Sequence, residues 1–419
     1  MTSMRSRPSP RGVTLVELLI AMAVSAIVLV GIVAVVQAQQ QAYTDGHRVR
    51  AAQSSARSAL LFLEQKLPLA GYGMAPSLAL DLDRYTSGPC PALLQVSGAC
   101  KRDRTDDSDE LVFYARNPSY WIPPTGVGTA AGHAWTLTTS GVTTAVANIQ
   151  ARDGDVFRKG RILQAVCEGA SQYAYFTVST TTPAPAGGGA VAVPLEAAVS
   201  GDPFKRQDAA TDDCFETGTA RVFEIDRYRL HVRPVTVGTQ TDPFLVLDRG
   251  VDSAGSTAVD EADEEFVAEG IESIQVAYVL ANGSVVGATS GTAITLTAGA
   301  PGSASSSNAL TTLQFPGAAP EPDESMYSPT SWYRYLMNPP DPARLTDHQA
   351  NIRAVRIAIV ARSPEPDPND RGTPPILRLN QSAVPSWAGA VGVQDGYERV
   401  AFEATIPLPN MLSQGMVFF

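Results

Sequence analysis

Apolar residues crowd the start of the chain and then thin into short alternating runs. From Leu18 to Val36 there is no charge, and only Ser25 and Gly31 interrupt the apolar residues. About 20 helical residues, at 1.5 Å each, cross a hydrocarbon layer about 30 Å thick, so this pattern predicts one membrane-spanning helix. The run exceeds the roughly 7–15-residue core of a secretory signal peptide, and a helical pattern continues beyond it. Val49, Gln53, Ala56, Leu60, Leu63 and Leu67 alternate spacings of four and three, giving one mostly apolar stripe with Arg50, Arg57, Glu64 and Lys66 off it. Pro68, Gly71 and Gly73 then stop the helix. The expected product is one long helix, lipid-soluble in its first half and amphipathic in its second.

Beyond residue 110 the period shortens to two. Strand patterns occupy 110–116, 133–139, 161–167, 174–180, 221–234 and 244–250, separated by turns bearing Gly and Pro. They predict an antiparallel, twisted sheet with one face packed on the helix stripe, an α+β fold.

Composition supports this division. The chain has 419 residues, 44% of them hydrophobic, with 34 Gly and 31 Pro, and only 17% are charged. That balance suits an exported, strand- and loop-rich protein. The net charge of −11 repels nucleic acid, so no nucleic-acid contact is expected. Cys90, Cys100, Cys167 and Cys214 all follow the apolar run, with no CxxC and no zinc spacing. An even count is compatible with two disulfides, Cys90–Cys100 and Cys167–Cys214, or with four unpaired thiols. The acidic run Asp103 to Glu110 lacks the EF-hand register, so a solvated loop is expected there and no metal. The four histidines, His47, His133, His231 and His348, are scattered, with His47 expected in solvent. No GxSxG or phosphate loop occurs, so neither an enzyme nor a cofactor is expected.

A charge inside a membrane-length run costs about 2.5–3.5 kcal/mol at a bilayer centre, which makes Glu17 conspicuous. "RGVTLVELLIAM" (11–22) resembles the type IV prepilin signature: a short basic leader ending in Gly, then an apolar residue, Thr, two apolar residues, Glu and the hydrophobic helix. The resemblance implies that prepilin peptidase cuts between Gly12 and Val13 and that the new amine of Val13 is methylated. Val13 departs from the family's usual Phe or Met. The resemblance also implies that the Glu17 carboxylate faces the N-terminal amine of a neighbouring subunit and sets axial register. The simpler alternative is that Glu17 snorkels to the interface. Arg5, Arg7 and Arg11, with no acidic neighbour, predict a cytoplasmic N-terminus in the bacterial inner membrane and a periplasmic remainder.

A second resemblance lies in 264–283, 351–366 and 397–412, which look like the C-terminal half of PilW-type minor pilins. There an acidic "V-E-G-I-E" helical turn leads into a strand, a partner strand runs up to "ARS", and a last strand ends near the C-terminus. The implied organisation is a leader (1–12), a transmembrane and amphipathic helix (13–67), a transitional loop region (68–110), a β-rich pilin region (111–284), a loop insertion (285–345) and C-terminal strands (346–419). Within the insertion, Tyr327, Trp332, Tyr333 and Tyr335 form an aromatic cluster, and 363–375 is expected as a surface loop. The implied function is a minor type IV pilin that takes part in pilus assembly. Its implied partners are prepilin peptidase, other minor and major pilins, the inner-membrane assembly platform and membrane lipid. The alternatives are a type II secretion pseudopilin and a pilus-tip adhesive subunit.

Overall fold

The computed structural model describes residues 14–74, 78–81, 104, 107–122, 135–137, 144–149, 157–167, 173–182, 189–197, 204, 220–237, 240–251, 264–281, 283–289, 352–367, 372–388 and 395–412. The chain divides into two compact units, Met1–Ala51 and Ala52–Phe419. In the first, helix α1 (Leu15–Lys66) presents the side chains from Leu15 to Val36 to its surroundings along its whole circumference. A helix that is apolar all round and buries none of that surface suits lipid as its solvent, and α1 is long and apolar enough to cross a membrane. Further along, His47 is exposed and meets Tyr43 edge to face, with ring centroids 4.4 Å apart.

In the second unit α1 lies on a β-rich body. Its buried positions are Ala52, Ala56, Ala59 and Leu63, followed by Leu67 in a 3-10 turn (Leu67–Leu69) that closes the helix at Pro68. The expected stripe is therefore rotated: Ala56, Leu63 and Leu67 hold their places, whereas Val49, Gln53 and Leu60 are only half-buried at its margin. Alanine has no side chain beyond Cβ, so a face built on Ala52, Ala56 and Ala59 lets the helix backbone come close to the strands.

Three antiparallel sheets follow. The first contains β1 (Leu111–Ile122), β4 (Ile162–Cys167), β5 (Tyr173–Thr177), β7 (Ala220–Val237), β8 (Gln240–Asp248) and β9 (Glu265–Glu269), in the order β5-β4-β7-β8-β9 with β1 on β7. The long strand β7 is its spine: residues 220–225 pair with β4 and 229–237 with β8, while β1 pairs with 222–230 on the opposite edge. The second sheet has the order β11 (Val285–Val286), β10 (Ile271–Leu280), β12 (Ile352–Arg362), β13 (Arg399–Pro407). The third is β2 (Trp135–Leu137), β3 (Thr144–Ile149) and β6 (Gly189–Pro194).

Strand alternation decides which residues meet the helix. On β1, Leu111, Phe113 and Ala115 join α1 in the main core, while Val112 and Tyr114 point into a second cluster with Tyr175, Ile225 and Phe204. Phe113 stacks on Tyr228 of β7 with centroids 4.7 Å apart. Ile274, Val276 and Tyr278 of β10 and Val355, Ile357 and Ile359 of β12 complete the main core from the second sheet.

Several expectations are corrected. The stretch VAEGIE (267–272), where a helical turn is expected, contains none: β9 runs to Glu269, Gly270 bends the chain at φ +73°, and β10 starts at Ile271 in the neighbouring sheet. A side chain at 270 would put its Cβ 2.8 Å from the Arg362 carbonyl oxygen, so the crossing needs glycine for space as well as for its backbone angle. The end of the acidic run is not solvated either, since Asp109 is 1% exposed and Glu110 6%. Both carboxylates have donors waiting inside the fold, described below. The expected surface loop at 363–375 is also tucked in at Ser363 and Asp367. The first residues of the expected insertion, Val285 and Val286, pair with Val279 and Tyr278 as a hairpin return. The aromatic cluster at 327–335 lies outside the described residues.

Candidate functional site

The N-terminal end of α1 is closed by its own side chains. Thr14 stands just before the helix, and its carbonyl accepts the first intrahelical bond from the Leu18 amide at 3.1 Å. Its hydroxyl oxygen accepts from the Glu17 amide at 3.3 Å, and the Thr14 amide and hydroxyl donate to Glu17 Oε2 at 3.0 and 3.1 Å. This is a reciprocal capping box, Thr-x-x-Glu, which satisfies amides that the first helical turn leaves without partners. The carboxylate also places negative charge at the positive end of the helix dipole. The Thr-x-x-Glu spacing at 14 and 17 is a sequence signal for this cap, set within a pattern dominated by the apolar run. Its consequence is positional: Glu17 is held at the helix end, beside the peptide bond that joins Val13 to Thr14. Gly12 and Val13 themselves lie outside the described residues.

At the far end of the chain, a buried ion network fixes the second sheet. Arg399 on β13 is wholly buried and donates to both Glu272 oxygens, at 2.7 and 2.9 Å, and to both Asp395 oxygens, at 2.7 and 2.6 Å. Nη1 also donates to the carbonyl of Thr373 (2.6 Å), and Nη2 shares a hydrogen with the carbonyl of Ala388 (3.1 Å). Burial pushes the Asp395 carboxyl upward, but the hydrogen bonds and charge of Arg399 outweigh it and hold the group below the usual carboxylate range. The same carboxylates raise Arg399 above its ordinary value, against burial. Arg362 stacks on Tyr397 at 4.1 Å, tying the end of β12 to the same corner.

A second network secures the first sheet. Arg229 of β7 donates to Glu110 Oε1 at 3.1 Å and to Asp248 Oδ2 at 2.7 Å. Burial would raise Asp248, but Arg227 and Arg229 together hold it below its ordinary value. Arg116 lies over the Phe223 ring at 3.9 Å and donates to Gln164 Oε1 at 3.0 and 2.7 Å; burial pushes its guanidinium down to about 10. Burial also raises Glu224 and Asp226, which face Arg161. These groups are paired within the fold, and among the described residues no cluster of three or more His, Cys, Asp or Glu could hold a metal ion. The arrangement supports rigidity of the two sheets.

Of the cysteines only the backbone of Cys167 is described, at the end of β4 opposite Ala220; Cys90, Cys100 and Cys214 lie outside the described residues.

With this geometry in hand, comparisons with known proteins give two family matches. Residues 234–410 match the model of the Type IV Pilus-assembly protein W family (PilW), and residues 7–33 match the prokaryotic N-terminal methylation motif. The first spans β8 to β13, including the Gly270 crossing and the Arg399 network; the second spans the capped helix start. Among solved structures, a type IV-like pilin from Thermus thermophilus is similar over 62% of this chain and 92% of that chain, at 13% identity and a TM-score of 0.19, too low to equate elements. No curated protein matches the chain.

Proposed function

The chain is a type IV pilin-like protein with an N-terminal methylation motif and a PilW domain, and from that premise we propose that it serves as a minor pilin in type IV pilus assembly. Such a subunit is structural and works by association, without turnover. The motif implies processing by prepilin peptidase and association with other pilins. In our reading the peptidase cuts after Gly12, and Val13 becomes the methylated first residue. The mature helix is anchored in the inner membrane with its N-terminus cytoplasmic until the assembly platform passes it into the pilus beside minor and major pilins.

The observation that carries this reading is the Thr14–Glu17 box. Cleavage puts a positive amine on Val13, at the end of an apolar rod, where it requires a negative partner once desolvated. Glu17 Oε2 already lies 3.0 Å from the Thr14 amide, one residue from that amine. A carboxylate so placed can exchange its local donors for the amine of a neighbour, which gives axial register.

The test is an immunoblot of two variants, with sheared pili blotted alongside. Gly12→Leu should leave the precursor uncut. Glu17→Val should be cleaved yet absent from sheared pili. Normal maturation of the first, or normal incorporation of the second, would overturn the reading. Loss of secretion with intact pili on deletion of the gene would assign the chain to a secretion pseudopilus instead.

A further inference from the structure

Among the described residues, the central strand of the second sheet has one edge that no long strand covers. β10 pairs with β12 along one side from Ile271 to Leu280. On the other side, β11 reaches only Tyr278 and Val279. The main-chain groups of Ile274 and Val276 on that side are met by residues 107–109, which form no strand. The Asp109 amide donates to the Ile274 carbonyl at 2.9 Å. The remaining contacts use side chains: the Ile274 amide donates to Ser108 Oγ at 3.0 Å, and the Val276 amide to Asp109 Oδ2 at 2.7 Å. Gln275 Nε2 donates to the Asp107 carbonyl at 2.7 Å, and the Arg104 amide to Asp109 Oδ1 at 2.7 Å.

We propose that Asp107–Asp109 is a strap that guards the edge of β10 against pairing with a strand of a second copy of this chain. A strand edge with free amides and carbonyls is a template for another strand. The usual deterrents are Lys, Pro or bulges on the edge itself, and β10, IESIQVAYVL, has neither Lys nor Pro. Its one charge, Glu272, is already paired with Arg399. The deterrent is instead supplied from outside: a hydroxyl and a carboxylate occupy the ladder positions of Ile274 and Val276 without offering a continuing strand. Charge-assisted bonds from two amides make Asp109 the stronger half of the strap. Its burial, unexpected for a residue in an acidic run, follows from this task.

Hydrogen exchange and sedimentation on the full chain in detergent test the strap. In Ser108→Ala/Asp109→Ala the amides of Ile274 and Val276 should exchange roughly tenfold faster or more, because each loses its side-chain acceptor. Gln275 and Ala277, whose amides alternate toward β12, should change little. The variant should also form dimers at concentrations where the parent chain is monomeric. Asp109→Asn retains an acceptor oxygen and should stay monomeric. Unchanged exchange at both amides, or fast exchange without dimers, would overturn the proposal. Should the double variant not fold, the parent chain decides: Ile274 and Val276 must open at lower denaturant than Gln275 and Ala277, and equal protection sinks the strap.

Discussion

Replacing Arg399 with Met removes the cation that pairs with Glu272 and Asp395 in the second sheet's polar corner. The side chain is wholly buried, and Glu272, its partner on β10, is 2% exposed. Breaking a buried ion pair from one side costs about 3–5 kcal/mol, because the abandoned charge has no water to turn to. The carbonyls of Thr373 and Ala388 lose donors as well, at about 1 kcal/mol each. Arg399→Met should therefore cost about 5–7 kcal/mol, read as a fall in urea midpoint by tryptophan fluorescence of the full chain in detergent. The sign of the pH dependence separates this account from simple loss of packing. In the parent chain Asp395 is held below its ordinary value, so its contribution is present above the unfolded value of about 3.9 and is lost as pH falls through the folded one. In the variant that contribution is absent, so stability should fall less steeply than in the parent chain as pH is lowered through the same range. Adding Glu272→Leu should recover at least 2 kcal/mol, since an apolar residue there has no charge to desolvate. A loss below about 1 kcal/mol, or no recovery in the double variant, would refute the reasoning.

Three further outcomes are expected. Gly270→Ala should destabilise by about 1–3 kcal/mol by thermal or urea unfolding, because φ is +73° and the new Cβ would sit 2.8 Å from the Arg362 carbonyl. Leu63→Ala, at a 1% exposed position where α1 meets both large sheets, should cost about 2–5 kcal/mol, whereas Leu61→Ala, 57% exposed, should cost under 0.5 kcal/mol. Thiol labelling of exported protein should find little free sulfhydryl until a reductant is added. A Cys167–Cys214 bridge would close a loop of about 48 residues and stabilise the fold by about 4 kcal/mol; four thiols reactive without reductant would count against it.

What the sequence determined by itself is what short-range physics controls. The membrane-length run, the helix that outlasts it, the stop at Pro68 and the main strands of the first sheet all follow from periods of 3.6 and 2 and from turn residues. So does the capping box, since Thr14 and Glu17 are one turn apart. The tertiary structure decided the rest, because it depends on partners far apart in the chain. Alanine and leucine are both apolar in a pattern, and only the approach of the strands makes Ala52 and Ala59 the buried face and leaves Leu60 at the margin. An acidic run has the composition of a solvated loop until Val276 and Arg229, more than a hundred residues away, bring donors to Asp109 and Glu110. Gly270 looks like a turn in any reading, but whether it ends a helix or carries a strand from one sheet to the next is set by the Arg362 backbone against it. Burial of charge and choice of sheet are properties of the assembled chain, because both are fixed by which distant groups arrive to replace water.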